Sequence, residues 1–199
     1  VSDEGAKTRL RIEGAGNSVA YRAGRLAEHL AQFGAVDVEE DAATSREIWR
    51  RVRDVDDFAD RSFVARVSLK PTGLAELLLA FSNLFFDPEA KAPLFDVAVD
   101  WGGGLAWIAA RDTQLVHAAA TAPQEDVDPT HLGARLMIAA LQRHCTTSGG
   151  HATLVKSPSA VRGAVDVFQP QPAPLAAISR ALKQKFDPRG ILNPGLMGF

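Results

Sequence analysis

The stretch LFDVAVDWGGGLAWIAARD, residues 94–112, reads as two short β-strands joined by a glycine-rich turn at Gly102, Gly103 and Gly104. Apolar and β-branched residues on either side of consecutive glycines are the pattern of a hairpin, because glycine supplies the positive φ values that tight turns need. An antiparallel pair is therefore predicted in the middle of the chain. That choice decides the fold class: a sheet built on a hairpin is antiparallel, and the helical stretches around it must pack on its faces.

The neighbouring segments extend the pattern. SFVARVSLK (62–70) is β-prone and stops at Pro71. Leu74, Leu77, Leu78, Phe81 and Phe85 then recur at helical spacing until Asp87-Pro88. Further on, Asp128-Pro129 opens a helix carrying Leu132, Leu136 and Ala139, and GGHATLVK (149–156) returns as a strand. PLAAISRALKQKF (174–186) reads as a last helix that buries Leu175, Ile178 and Leu182. Toward the N-terminus, LRIEG (10–14) alternates like a strand and runs into a helix with Val19, Ala23, Leu26, Leu30 and Phe33 on one face. AVDVEED (35–41) reads as a second short strand, followed by a helix bearing Ile48, Val52 and Val55 with Thr44 or Ser45 as N-cap. The expected fold is α+β: an antiparallel sheet with helices packed on one face and ferredoxin-like strand–helix units. Its other face is expected to meet water or another domain. QPQPAP (169–174) is too short to link two bodies and is read as a turn into the final helix.

Composition removes several function classes. The 199 residues are 46% hydrophobic and 23% charged with a net charge of −2, an ordinary globular balance without the basic footprint that a nucleic-acid backbone demands. LAELLLAF (74–81) contains Glu76 and is far shorter than the roughly 20 apolar residues of a membrane span, so no span is expected. The single cysteine, Cys145, cannot pair within the chain, and VSDEGAKTR has no apolar secretory core; a reducing, cytoplasmic setting is expected. The absence of an initiator methionine is read as removal of upstream residues.

Four motifs invite chemistry. GAGNSV (14–19) stands between a predicted strand and helix, but a dinucleotide fingerprint needs glycine where Val19 stands, and TRLRI lacks the continuous apolar run of a central parallel strand. It is read as a plain turn into a helix. None of the five histidines (29, 117, 131, 144 and 151) forms a close pair of ligands, so no metal site is expected. Cys145 and His144 are helix neighbours pointing about 100° apart, which suits a buried structural thiol better than a nucleophile and its base. His151 follows Gly149-Gly150 at a strand start, where its ring has room to face a ligand. The chain ends FDPRGILNPGLMGF (186–199), two Pro-containing turns that either pin the tail to the domain or hold the Asn193 amide at a fixed spot.

FDPRGILNPG after an amphipathic helix resembles the C-terminal signature of FAD-linked oxidases of the vanillyl-alcohol oxidase type. Within that group RVSLKPT (66–72), DWGGGLAWI (100–108) and GGHATLV (149–155), in this order, are similar to stretches of the FAD-binding subunit of bacterial glycolate oxidase. LRIEGAGNSVAYRAGRLAEHL (10–30) looks like the start of that subunit's second domain, so the resemblance covers nearly the whole chain. It implies that residues 1–199 are a C-terminal cap or substrate-side domain, with the FAD-binding domain absent from this chain. It also implies FAD as cofactor, held chiefly by that missing domain and not expected on this chain alone. The implied partners are the FAD-binding domain of the same protein and the catalytic flavoprotein and iron–sulfur sister subunits.

The implied site residues are Asn193 and His151 toward the cofactor, and Arg66 and Trp101 toward the substrate. An arginine on a strand suits a carboxylate because its planar fork binds both oxygens; the alternative for Arg66 is a solvated strand face. Tryptophans such as Trp101 and Trp107 are more often core or hairpin packing than flavin contacts. One departure bears on activity. Catalytic relatives carry Glu-His-Gly after the same Gly-Gly, whereas this chain reads HATLVK, so His151 does not inherit that segment's role. The chain alone is therefore expected to be inactive, with a stand-alone α+β interaction or small-ligand module as the alternative.

Overall fold

The computed structural model describes residues 6–120 and 127–194. The chain divides into two compact units, Val1–Ala59 and Asp60–Phe199.

The first unit contains helices α1 (Gly16–Leu30) and α2 (Ala42–Asp54) and a 3-10 turn, Asp56–Phe58. The predicted helix faces are present but shallow: Val19, Ala23, Leu26 and Leu30 of α1 and Ile48 and Val52 of α2 are half-buried, and neither helix has a buried residue. Phe33 falls outside α1 and is 76% exposed. The two predicted strands at 10–14 and 35–41 are not strands. At the first, Arg11 lies over the Trp49 ring with 6.0 Å to its centroid, and Arg9, just before the stretch, is 3.8 Å from Asp57. Asp41, rather than Thr44 or Ser45, caps α2, its carboxylate accepting from the Thr44 N–H at 2.8 Å. Val55, in the left-handed region at φ 56°, ends that helix.

The second unit holds the sheet. β1 (Phe63–Ser68), β4 (Asp96–Asp100), β5 (Leu105–Ala110) and β6 (His151–Lys156) form a four-stranded sheet in the order β4-β5-β1-β6, each neighbouring pair antiparallel. β2 (Phe86–Asp87) and β3 (Ala92–Pro93) make a separate short ladder. The predicted hairpin is β4–β5, and its turn is tighter than glycine alone requires: Trp101 takes φ 53° beside Gly102 at 59° and Gly103 at 99°.

Alternation sorts the sheet into two faces. Phe63, Ala65, Val67, Ala106, Ile108, Ala110, Ala152 and Leu154 join one core with α3 (Leu74–Leu84), α4 (Asp112–Ala119) and α5 (Pro129–Ser148). Leu77, Phe81, Leu115, Met137, Ile138 and Leu141 fill it from the helix side, each nearly or fully buried and each contributing about 1.5–3 kcal/mol by burial. The Phe81 ring meets Phe85 at a tilt and Phe95 edge-on, with centroids 4.6 and 4.8 Å apart. Two glycines allow close approach. A Cβ at Gly133 would stand 2.0 Å from the Leu115 carbonyl oxygen, where α5 crosses α4, and one at Gly150 would stand 2.8 Å from the Ser68 carbonyl oxygen.

Asp128 caps α5 as expected, accepting from the Thr130 and His131 N–H groups. Gly149, at φ 75°, ends it. The Gly149-Gly150 pair thus stops a helix and brings β6 against β1. α6 (Ser159–Arg162) and α7 (Ala173–Phe186) follow. α7 reverses its predicted burial: Ala176, Ser179 and Lys183 are half-buried, while Leu175, Ile178, Leu182 and Phe186 are 49%, 59%, 52% and 76% exposed. Among the described residues no helix is long and apolar enough to cross a membrane.

Candidate functional site on the second face of the sheet

The sheet face turned away from the helices is organised by strand register into three rows. The middle row runs Ala98, Trp107, Arg66, Thr153 across β4, β5, β1 and β6. Below it lie Asp100, Leu105, Ser68 and His151, and above it Asp96, Ala109, Val64 and Lys156, the last reached across a bulge between Val64 and Ala65. The upper row is closed by charge and packing. The Arg61 guanidinium donates to Asp96 at 2.8 Å and also reaches Asp60, Arg111 stands 3.9 Å from Asp96, and Val64 and Ala109 are buried.

The middle row is different. Arg66 is exposed at the centre of the sheet, and its side chain makes no hydrogen bond or ion pair among the described residues. Trp107 and Thr153, half-buried, flank it on the neighbouring strands. A guanidinium between an indole and a hydroxyl, on a face with one closed side, presents donors and a planar wall to an anion or a flat ring. His151 begins β6 opposite Ser68 and is exposed. Trp101, 69% exposed, follows Asp100 at the other edge. With strands spaced about 4.8 Å, His151 on β6 and Asp100 at the end of β4 border the face from edges roughly 14 Å apart, with β1 and β5 between them.

Of the four sequence-predicted residues, Arg66 and His151 therefore share one face by register, whereas Trp101 lies in the hairpin turn beyond the paired residues of β4. Asn193 does not belong to that face; it sits in a hook that follows α7. The Asp187 carboxylate organises that hook. It accepts from the Ile191 N–H at 3.0 Å and the Leu192 N–H at 2.9 Å, and from Lys183 Nζ at 2.5 Å, while Lys183 also donates to the Leu192 carbonyl at 2.5 Å. The Lys183 ammonium and these main-chain donors push the Asp187 carboxyl down to about 2. Gly190 at φ 63° and Asn193 at φ 48° take left-handed conformations, so in the second turn Asn193 carries the positive φ. Leu192 is 57% exposed. Gly195, the expected left-handed residue there, lies outside the described residues.

Trp107 and Thr153 were not singled out from sequence as site residues, because only the long-range register brings them beside Arg66. Cys145 is 1% exposed, and burial pushes its thiol up to about 11, which fits a structural thiol. Gly14-Ala15-Gly16 enters α1 without a preceding strand, so the geometry that holds a dinucleotide pyrophosphate is missing there. Among the described residues no group of three or more His, Cys, Asp or Glu side chains is placed to hold a metal ion.

With the geometry in view, the chain is similar to Glycolate oxidase subunit GlcE of Escherichia coli (strain K12), 33% identical over 114 residues, which is 54% of this chain and 23% of that protein. The matched region thus spans about a quarter of the length of the curated relative. No protein-family model matches the chain, and no solved structure matches it.

Proposed function

We propose that this chain is the cap, or substrate-side, domain of an FAD-dependent subunit of the glycolate oxidase kind, and that the second face of its sheet covers the flavin and the 2-hydroxy acid. The observation that carries the proposal is Arg66: a guanidinium with no ion-pair partner among the described residues, in the middle of an antiparallel sheet and flanked in register by Trp107 and Thr153. The likeness to the GlcE subunit and the FDPRGILNPG tail support the same reading.

The residues fit the ring and carboxylate ends of such a site and not a pyrophosphate grip. Flavin, when bound, supplies the hydride acceptor. Arg66 would hold the carboxylate of the hydroxy acid through two parallel N–H···O bonds, fixing which face of the α-carbon is presented. Trp101 would close the β4 side against water, and His151, without the Glu-His-Gly context, would bind by hydrogen bonding at the β6 side. The outward stripe Leu175, Ile178, Leu182 and Phe186 would seat α7 on the FAD-binding domain of the same protein, bringing Asn193 to the flavin edge. Sister catalytic flavoprotein and iron–sulfur subunits would complete the assembly.

The test is anaerobic flavin reduction by glycolate in the FAD-containing protein that carries this chain. Arg66→Ala should slow reduction at subsaturating glycolate by about 100-fold or more, and Arg66→Lys should restore part of it, with melting unchanged. Reduction at the unaltered rate in Arg66→Ala would remove the basis for the proposal.

A further inference from the structure

We infer that the β4 edge is a self-association surface, where a second copy of this chain adds its own β4 antiparallel and joins the two sheets into one. The two edges of the sheet are treated differently. On the β6 side the chain shields its own edge: the Leu154 N–H donates to the Val167 carbonyl at 2.8 Å, and the Ala152 N–H donates to Gln169 Oε1 at 3.1 Å. On the β4 side nothing among the described residues pairs with the outer edge, and Val97–Asp100 is exposed throughout. β4 also has no proline, lysine or bulge of the kind that guards lone edges.

The occupant follows from the side chains. Val97 and Val99 point to the helix side, in register with the buried Ile108 and Ala106, yet they are 42% and 47% exposed because the helix layer does not reach them. In a two-fold antiparallel pairing centred on Ala98, Val97 stands opposite Val99 of the second copy and Val99 opposite its Val97, so the two pairs cover each other. On the opposite face the same symmetry sets Asp100 of the second copy against Asp96. That meeting of like charges is offset by Arg61, 2.8 Å from Asp96, and by Arg111, whose guanidinium is half-exposed and only 3.9 Å from Asp96. Asp100 uses Oδ1 to accept from the Trp101 N–H at 2.7 Å. Its Oδ2 has no partner among the described residues and would meet Arg111 of the second copy, twice by symmetry. The edge is thus complementary to itself in both apolar pattern and charge.

The experiment is sedimentation equilibrium on the purified chain. A five-residue edge is a small interface, so dimerisation in the range of about 10–100 µM is expected. Val97→Lys/Val99→Lys, at exposed positions, should keep the melting curve and give only monomer. Asp100→Arg and Arg111→Asp should each weaken the dimer by about tenfold or more, and the two together should restore it. Should Asp100→Arg unfold by losing the Trp101 cap, the valine pair and Arg111→Asp decide. A monomer mass at all concentrations up to about 1 mM, or a dimer that survives Val97→Lys/Val99→Lys, would overturn the inference and leave the edge to a different chain or to none.

Discussion

Lys183 Nζ and Asp187 Oδ2 stand 2.5 Å apart, one helical turn from each other, and both also bond the main chain at Leu192. This pair folds the tail back on the end of α7. The segment from Asp187 to Leu192 is shaped around one nearly buried carboxylate, 6% exposed.

The hook should respond to acid. The Asp187 carboxyl is held at about 2, below the ordinary aspartate value of about 3.9. A depressed folded value means that its contribution is fully present above about pH 4 and is lost as pH falls through about 2. Amide exchange at Ile191 and Leu192 should therefore accelerate over that window, and Asp187→Asn should show fast exchange already at pH 7. Exchange independent of pH between 5 and 2, after correction for intrinsic rates, would contradict this.

The outward stripe of α7 gives a second prediction. Ile178→Ser/Leu182→Ser should change the melting of this chain by less than about 0.5 kcal/mol, because both side chains already meet solvent. In the proposed flavoprotein that joins this chain to an FAD-binding domain, the same pair should loosen the domains and raise protease sensitivity near residues 169–174. A large loss of stability in the chain alone would mean that the stripe packs inward.

Gly133→Ala places a methyl where α5 meets the α4 backbone, against a carbonyl that cannot move freely. Overpacking of this kind costs about 1–3 kcal/mol, a melting-temperature drop of roughly 2–12 °C. An unchanged melting temperature would show that α5 can shift at no cost.

Cys145 should resist thiol reagents in the folded chain. With its thiol raised to about 11 and nearly no exposure, labelling at pH 8 should be about 100-fold or more slower than in urea-unfolded protein. Rapid stoichiometric labelling of the native chain would contradict the packing of α5.

Where local chemistry fixes the backbone, the sequence was a good guide. The glycine turn announced β4–β5, Asp128-Pro129 announced the start of α5, and Pro71 marked the end of the strand before α3. The failures have a physical cause in partners that local pattern does not contain. LRIEG pairs with no neighbouring strand among the described residues; instead Arg11 lies over Trp49, and Arg9 just before it reaches Asp57. The final helix is amphipathic as read, but its apolar face points outward, and periodicity cannot distinguish a core from an interface. For the candidate site, Arg66, His151 and Trp101 could be proposed from residue type and motif, whereas the placement of Trp107 and Thr153 beside Arg66 depends on register between distant strands.

The central claim is that the second face of the sheet meets the flavin, and photolabelling tests it most directly. The FAD-containing protein that carries this chain, loaded with a photoreactive azido-flavin analogue and irradiated, should give adducts mapped by mass spectrometry to peptides 62–70, 96–111 or 149–156, with Trp101, Trp107, Arg66 or His151 modified. Adducts confined to α3 or α5 on the opposite face, or to none of this chain's peptides, would contradict the account.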